Sequence, residues 1–410
     1  MPLRFLTAGE SHGPELTAIL DGLPAGVPLT AETINRDLSR RQLGIGRGGR
    51  MRIEQDEVQI TGGVRFGETI GSPVSLRLIN RDWFNWQERM QVEPLADGQE
   101  RPAPVTLVRP GHIDLAGTVK LGRADVRDSL ERASARETAM RVAVGACCKA
   151  LLAAVGITVF GRVTQYGPLH LPYPTLLPTA QEVRAGTDLA AEADAILEAH
   201  REAMAAEVER ARGEGTTLGG AFQVLGLGVP LGLGHFGQWD RRLDGRIAQA
   251  LMSIPTVKAV AIGAGTDLAG LTGQESNDEL FIVPPDQRVP GGPWWYRETN
   301  QMGGLEGGVT NGEPVIATCY LKPISTQIRP LRSIDLAAGE AAEALVERSD
   351  TAVIEAATVV GEAMLAYVLA EALLEKFGGD NLPDLIAAVE WYRGRVLTVP
   401  GSSPTRRRGN

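Results

Sequence analysis

The segment ERASARETAMRVAVGACCKALLAAVGITVF, residues 131–160, begins with charged residues and continues as an almost unbroken apolar run. Lys149 lies in the middle of the apolar part, and arginine-rich sequence precedes it, which favours a buried core helix over a membrane span. Asp128 and Glu131 have the spacing of a capping box, so we expect the helix to begin there. The pattern predicts a long alanine-rich helix that ends near Ala154.

The rest of the chain contains short strands and helices that occur in clusters. Short apolar or alternating stretches predict strands at residues 3–5, 16–20, 74–78 and 315–322. Helical spacing predicts helices at 30–42, with Thr30 as a candidate N-cap, at 180–212 as a solvent-facing pair, and at 243–251 and 353–368. Because strands and helices do not strictly alternate, a layered α+β domain is favoured over a doubly wound parallel sheet.

The length allows one large domain or two ordinary ones. We expect a single domain over residues 1–395, with a helical surface insertion at about 178–213. The end of the chain, residues 396–410, includes GSSPTRRRGN and is predicted to be flexible.

Composition predicts a folded globular protein and restricts its partners. The 410 residues are 43% hydrophobic and 22% charged, with a formal net charge of −9. This charge opposes general nucleic-acid binding, and any anion site must be built locally. Cysteines occur only at 147, 148 and 319, which fits a reducing compartment, and the N-terminus lacks a secretory signal pattern. We therefore expect a cytoplasmic protein that binds neither nucleic acid nor membrane.

The segment RRQLGIGRGGRMR, residues 40–52, is a cationic loop with five arginines, four glycines and no acidic residue. Glycine allows close backbone approach, and arginine matches phosphate and carboxylate oxygens, so the loop is typical of a small-anion site. A solvated basic loop and an RGG-like nucleic-acid segment are the alternatives. The segment also satisfies GxGxxG, but it lacks the preceding strand and following helix of a dinucleotide site, which weakens a dehydrogenase interpretation.

Two of the five histidines lie in glycine-containing turns beside charged residues. His12 lies in GESHG, and His112 lies in RPGHID. A surface role and a catalytic role are both compatible with these settings; near a phosphate, such a histidine can act as a general acid. The chain lacks the HExxH, Cys-x-x-Cys and Walker A patterns, so neither a metal site nor a P-loop is expected.

Three further segments combine cations, hydroxyls or helix starts. Residues 131–138 contain two arginines at an expected helix start, which favours anions. Residues 322–326, KPIST, follow a strand and offer one cation and two hydroxyls, which would suit a phosphate or form a plain turn. Asp350 precedes the last long helix, where it could simply be an N-cap.

Taken together, these segments resemble the chorismate synthase family. GESHGPELTAILDGLP (9–24), ERASARETAMRVAVGA (131–146) and RSDTAVIEAATVVGEAM (348–364) are similar to the three signature regions of that family. PGHID, the arginine loop, ALMSIP (250–255), NQMGG (300–304) and KPIST occur in the family's order and spacing. The resemblance covers residues 3 to about 375.

The resemblance implies an anti-1,4-elimination that converts 5-enolpyruvylshikimate-3-phosphate to chorismate and phosphate, with reduced FMN required and NADPH as a candidate reductant. It also implies a sandwich with helices between antiparallel sheets, and a homotetramer. The implied catalytic residues are His12, which protonates the leaving phosphate, His112, which protonates or holds the flavin, and Asp350, which assists proton removal. The implied substrate-binding residues are Arg41, Arg47, Arg50, Arg109 and Arg136. The implied cofactor-binding residues are Arg41, Arg47, Arg132, Ala133, Ser134, Pro255, Thr256, Gly307, Lys322, Pro323, Ile324, Ser325, Thr326 and Arg348.

Overall fold

The computed structural model describes residues 2–48, 55–288, 292–347 and 349–397. Its strands are β1 (Arg4–Ala8), β2 (Glu15–Asp21), β3 (Val58–Gly62), β4 (Val64–Arg65), β5 (Glu68–Thr69), β6 (Val74–Ile79), β7 (Thr158–Tyr166), β8 (Leu169–His170), β9 (Gly220–Leu227), β10 (Val257–Ile262), β11 (Phe281–Ile282), β12 (Trp295–Tyr296), β13 (Leu305–Glu306), β14 (Val309–Thr310), β15 (Val315–Leu321), β16 (Arg332–Asp335) and β17 (Glu340–Glu343).

The α-helices of the described residues are α1 (Ala31–Gln42), α2 (Asp114–Leu121), α3 (Arg127–Ala133), α4 (Thr138–Ala154), α5 (Ala180–Arg184), α6 (Leu189–Ala199), α7 (Arg201–Gly213), α8 (Leu243–Met252), α9 (Gly273–Ser276), α10 (Ile354–Phe377) and α11 (Leu382–Leu397). Short 3-10 helices lie at Trp83–Asn85, Ala135–Glu137, Trp239–Arg241, Gly265–Gly270 and Pro285–Gln287.

Two antiparallel sheets form the outer layers of the core. The four-stranded sheet has the order β1-β2-β6-β3, and the five-stranded sheet has the order β10-β15-β9-β7-β8. In the first sheet, alternate residues such as Leu16, Ala18 and Leu20 are buried, which follows from the two-residue period of a strand. The strands β1, β2, β6 and β15 confirm the predicted strands.

Helices fill the space between the sheets. Helix α4 packs against the four-stranded sheet, and α10 packs against both α4 and strands β7 and β9 of the second sheet. The two helices approach so closely that a Cβ atom at Gly145 would lie 2.3 Å from the Cβ of Ala363. The structure is therefore a layered α+β sandwich with helices between antiparallel sheets, as predicted.

A buried ionic cluster connects α1, α4, α10 and β7 within this helical layer. The fully buried carboxylate of Glu362 accepts hydrogen bonds from Arg40 at 2.6 and 2.7 Å, from Lys149 at 2.5 Å and from the Gly161 N–H at 2.9 Å. Lys149 and Arg40 also pair with Asp37 at 2.8 and 3.2 Å. The guanidinium of Arg40 is thus engaged by two carboxylates of this cluster, although its side chain is partly exposed.

The beginning of the long helix differs from the prediction. Helix α3 ends at Ala133, Ser134 is extended, and the Ser134 hydroxyl accepts the Arg136 N–H at the start of a 3-10 turn. The long helix α4 begins only at Thr138, although it ends at Ala154 as predicted. The expected capping box of Asp128 and Glu131 is absent from α3, because Glu131 instead contacts His12.

Two other helical predictions need correction, while two are confirmed. The stretch 180–212 forms three helices, α5 to α7, and Met204, Val208 and Ala211 of α7 lie in the main core because one face of α7 is apolar. Helix α10 begins at Ile354, so Asp350 is not its N-cap. Helix α1 is confirmed, with the Thr30 side chain accepting the Thr33 N–H, and α8 is also confirmed.

Helix α10 is buried on nearly all sides, whereas the sequence pattern predicted one apolar face. Among the described helices, α10 alone is long and apolar enough to cross a membrane, and most of its apolar stretch is buried inside the protein. Helix α10 is apolar on nearly all sides because it lies between α4 and the five-stranded sheet. Burial of this helix fits a soluble protein.

Candidate active site

His12 lies in the loop between β1 and β2 and is held from two sides. Its Nδ1 lies 2.9 Å from Oε2 of Glu131, and its backbone N–H donates to the same oxygen at 2.9 Å. The indole of Trp86 stacks on the imidazole at a centroid distance of 3.7 Å and an angle of 25°. Burial alone would raise the pKa of Glu131, but hydrogen bonding to His12 and Arg127 lowers it. Glu131 is therefore an ionised partner for His12.

His112 and Arg109 share the fully buried carboxylate of Asp114 at the start of α2. Arg109 donates to the two oxygens of Asp114 at 2.8 and 3.0 Å, and Nδ1 of His112 contacts Oδ1. Burial would raise the pKa of Asp114, but hydrogen bonds from His112 and Arg109 hold it well below its ordinary value. Asp114 thus fixes His112 through Nδ1, so that Nε2 is the nitrogen that can serve a ligand.

Arg41 and Arg136 also share one buried carboxylate, that of Asp56. Arg41 Nη1 lies 3.3 Å from Asp56 Oδ2, and Arg136 Nη1 lies 2.6 Å from Oδ1. Arg41 further donates to the Ala135 carbonyl at 2.9 Å and to the Thr138 hydroxyl at 3.1 Å. Asp56 thus holds two guanidinium groups close together, and such groups match the oxygens of a phosphate or carboxylate.

Arg47 and Asp350 are paired at the described end of the arginine loop. Arg47 Nη1 donates to Asp350 Oδ2 at 2.7 Å, and the Gly48 N–H donates to Oδ1 at 2.6 Å. The loop is anchored at Ile45, whose carbonyl accepts from the Tyr166 hydroxyl at 2.6 Å and whose N–H donates to Glu355 at 2.7 Å. These contacts argue against a freely solvated loop over residues 43–48.

Glu347 and Thr326 join the groups around His12, His112 and Asp350 into one contiguous network. Glu347 lies 3.7 Å from Arg127, which pairs with Glu131 at 2.6 Å, and 3.5 Å from Arg109. Arg109 also donates to the Thr326 hydroxyl at 3.0 Å. The Thr326 carbonyl in turn accepts from Ser349, the neighbour of Asp350, at 3.1 Å. His12, His112 and Asp350, distant in sequence, are thereby brought to one region.

Comparison with known proteins identifies the family of the chain. The family model described as chorismate synthase matches residues 3–374. A chorismate synthase of Geobacter sulfurreducens is 50% identical over 396 residues, which cover 95% of this chain and 98% of that protein. A chorismate synthase of Desulforudis audaxviator is 48% identical, with 96% and 98% covered. The chain belongs to the chorismate synthase family.

A solved crystal structure of chorismate synthase supports this at the level of the fold. It is similar to this chain with a TM-score of 0.75 and 37% identity, covering 97% of this chain and 99% of the other. Membership of the chorismate synthase family makes the chain a carbon–oxygen lyase of aromatic amino-acid biosynthesis that acts on a small molecule. The family uses reduced flavin.

Most of the cofactor positions inferred from the chorismate synthase family lie around the same region. Lys322 donates to the Ser325 hydroxyl at 2.9 Å, and Ser325 donates to the Gly111 carbonyl beside His112 at 2.8 Å. The Lys322 N–H donates to the Thr256 carbonyl at 3.0 Å, next to Pro255. The Ser134 hydroxyl donates to that of Ser11 at 3.2 Å, which brings Ser134 and its neighbour Ala133 close to the His12 loop. Pro323 and Ile324 lie in the turn that follows β15.

Arg132 and Gly307 have settings that the sequence did not indicate. Arg132 donates to the Thr7 and Gly9 carbonyls at 2.9 and 3.1 Å, which ties α3 to β1. Gly307 lies in the β13–β14 turn, beside the first residue of α8, whereas Pro255 follows the other end of this ten-residue helix. The helix separates them by about 15 Å. Arg50 and Arg348 lie outside the described residues.

Sequence reasoning missed the carboxylates that organise the site, namely Asp56, Asp114, Glu131 and Glu347. Asp114 could have been found, because it lies in the quoted RPGHID segment two residues after His112. It also missed Trp86, which lies outside the quoted motifs. A cavity of about 360 Å³ lies elsewhere, lined by residues that include Trp295, Tyr392 and Arg393, and it contains none of the inferred site residues. Within the described ranges, no group of three or more potential metal-ligating side chains was found.

Proposed function

We propose that this chain removes a proton and phosphate from 5-enolpyruvylshikimate-3-phosphate in an anti-1,4 sense to give chorismate, with reduced FMN bound beside the substrate. The observation that supports this proposal is that two buried carboxylates each hold two basic side chains: Asp56 holds Arg41 and Arg136, and Asp114 holds Arg109 and His112. The substrate carries a phosphate and two carboxylates. Guanidinium groups match phosphate and carboxylate oxygens, so the arginines of this site are suited to bind such a polyanion.

The proposed substrate contacts are made by the guanidinium groups of Arg41, Arg47, Arg109 and Arg136, together with Arg50. His12 would give its proton from Nε2 to a phosphate oxygen as the carbon–oxygen bond breaks with its electron pair, because Nδ1 is held by Glu131. His112 would hold the flavin through Nε2. Asp350, fixed by Arg47 and the Gly48 N–H, would assist removal of the substrate proton.

The residues around Thr256 and Lys322 fit a flavin phosphate. Thr256 has a φ of 75°, which is strained for a β-branched residue, and its buried Oγ1 has no hydrogen-bond partner in the part of the chain that the structure describes. Burial and, secondarily, the charge of Lys258 lower the pKa of Lys322, so an anion there would be favourable. When bound, reduced FMN supplies the electron-rich surface for cleavage of the carbon–oxygen bond.

We predict that FMN binds more tightly when substrate is present. Ser325 connects Lys322 to the His112 loop. A ligand that orders one half of the site should therefore favour binding of the second ligand to the other half. Coupling of two ligands typically changes affinity about 5- to 150-fold. Titration of oxidised FMN with and without 5-enolpyruvylshikimate-3-phosphate measures this, and Lys322→Met should weaken FMN binding in both titrations.

Arg210 offers the matched control for that titration, because it pairs with Glu207 and Glu214 on the surface. Arg210→Met removes an equivalent cation and should leave the FMN affinity and its response to substrate unchanged. Equal FMN affinities with and without substrate would contradict a shared site.

We infer further that NADPH is the reductant of the flavin, with Arg41 and Arg47 as its contacts. Oxidation of NADPH by the protein and FMN under anaerobic conditions, without another reductase, tests this inference.

The three cysteines are all buried free thiols, which supports a cytoplasmic location.

We also propose that the protein assembles as a homotetramer. The outer face of the four-stranded sheet exposes Leu6, Ile19 and Ile79, an apolar face that association would cover. Sedimentation equilibrium should give the mass of four chains, and the mass of a single chain would contradict it.

A further inference from the structure

The imidazole of His12 belongs to a closed cluster of four side chains, here called the His12 cluster: His12, Trp86, Arg127 and Glu131. Trp86 stacks on His12 at 3.7 Å, and Arg127 lies 5.1 Å from the Trp86 ring. Arg127 pairs with Glu131 at 2.6 Å, and Glu131 returns to His12 at 2.9 Å. Each member therefore contacts two others, so the histidine ring is fixed both in its plane and at Nδ1.

Asn80 ties the loop that carries Trp86 to the loop that carries His12. Its buried amide donates to the Gly13 carbonyl at 2.8 Å, and its backbone N–H donates to the Pro14 carbonyl at 3.0 Å. Its Oδ1 accepts the Asp82 N–H at 3.1 Å, and Asp82 accepts the Trp86 indole N–H at 3.0 Å. The stack of Trp86 on His12 is thus built into the fold and does not depend on chance contact of two surface rings.

We propose that Trp86 and Glu131 are positioning residues for proton delivery by His12, with Trp86 covering one face of the imidazole and Glu131 fixing Nδ1 so that the proton leaves from Nε2. This rests on the proposed role of His12 as the acid that protonates the leaving phosphate. Neither residue needs to touch the substrate.

The charges around His12 explain why both contacts are needed. Glu131 lies 2.9 Å from His12 Nδ1 and 2.6 Å from Arg127, so one carboxylate orients the imidazole and anchors the arginine that lies over the Trp86 ring. Other acidic groups near the cluster are Glu10 on the histidine's own loop, Asp82 behind the indole, and Glu347, which lies 3.7 Å from Arg127. The arrangement therefore fixes the imidazole both by its face and by Nδ1.

The test compares kcat, KM and the pH profile of Trp86→Ala, Trp86→Phe and Glu131→Gln with those of the wild-type enzyme, whose turnover must first be established. Trp86→Ala should lower kcat about 10- to 100-fold with KM changed less than threefold, since general acid catalysis contributes about 10²–10⁴ and only part of it is lost. Trp86→Phe keeps an aromatic face and should restore most of kcat. Glu131→Gln should lower kcat about 100-fold and move the loss of activity at alkaline pH to a lower pH.

Trp391 provides a matched control, because it also lies beside an arginine, Arg395 at 5.5 Å, but on an exposed surface. Trp391→Ala should leave kcat and the pH profile unchanged. The proposal is overturned if Trp86→Ala and Glu131→Gln both retain wild-type kcat and pH profile. If Trp86→Ala does not fold, Glu131→Gln decides alone: an unchanged alkaline limb would refute the proposal. An inactive wild-type enzyme would instead refute the proposed function.

Discussion

Replacing His12 by alanine is expected to lower kcat about 10²–10⁴-fold while the protein stays folded, because a positioned general acid contributes an effect of this size. The phosphate would then leave without a proton from Nε2. Stability should change little, since Glu131 keeps its 2.6 Å pair with Arg127 and is not left as an isolated buried charge. Steady-state release of phosphate under anaerobic conditions, with circular dichroism of the same samples, measures both effects.

His170 is the control for this variant, because it is an exposed histidine on β8 with no contact to the site network among the described residues. His170→Ala should retain wild-type turnover. If His12→Ala also retained turnover near that of the wild type, the assignment of His12 as the acid would be wrong.

The largest loss of stability is expected from Glu362→Ala in the buried ionic cluster of the helical layer. Removal of the Glu362 carboxylate leaves Lys149 and Arg40 with only Asp37 as their acidic partner within the described residues. Breaking a buried ion pair by removing one partner typically costs about 3–5 kcal/mol in the free energy of unfolding. The Gly161 N–H would also lose its acceptor, which adds to the cost.

Chemical denaturation at one protein concentration measures the cost, and Glu209→Ala is the matched control. Glu209 pairs with Arg212 on the exposed surface of α7, where such a pair contributes about 0–1 kcal/mol. A loss below 1 kcal/mol for Glu362→Ala would show that the buried cluster does not hold the helices together.

Local sequence patterns predicted the elements that bury only one face, because apolar residues recur in such elements with a single period. Strand β6 shows the alternation of Val74, Leu76 and Leu78 because only one face of its sheet is buried. Helix α10 was predicted with one apolar face, because the pattern cannot show that α4 and a sheet enclose it. The break at Ser134 was also hidden, since it arises from a side-chain contact with the backbone that competes with the helix.

The histidines and arginines that we propose for catalysis and substrate binding could be found because they lie in long motifs. Apart from Asp114, which lies beside His112 in the chain, their carboxylate partners could not be assigned, because those pairings depend on the tertiary fold: His12 and Glu131 are 119 residues apart, and Arg109 and Glu347 are 238 residues apart. Periodicity carries no information on such pairs. The motifs therefore indicated the reaction, whereas the structure was needed to show which acids hold the reacting groups.

The most direct test is an anaerobic assay with purified protein, 5-enolpyruvylshikimate-3-phosphate and chemically reduced FMN, in which chorismate and phosphate are followed together. We expect equal amounts of both products, with no turnover when the flavin is oxidised or left out. Folded protein that binds FMN but forms neither product under these conditions would contradict the proposed function.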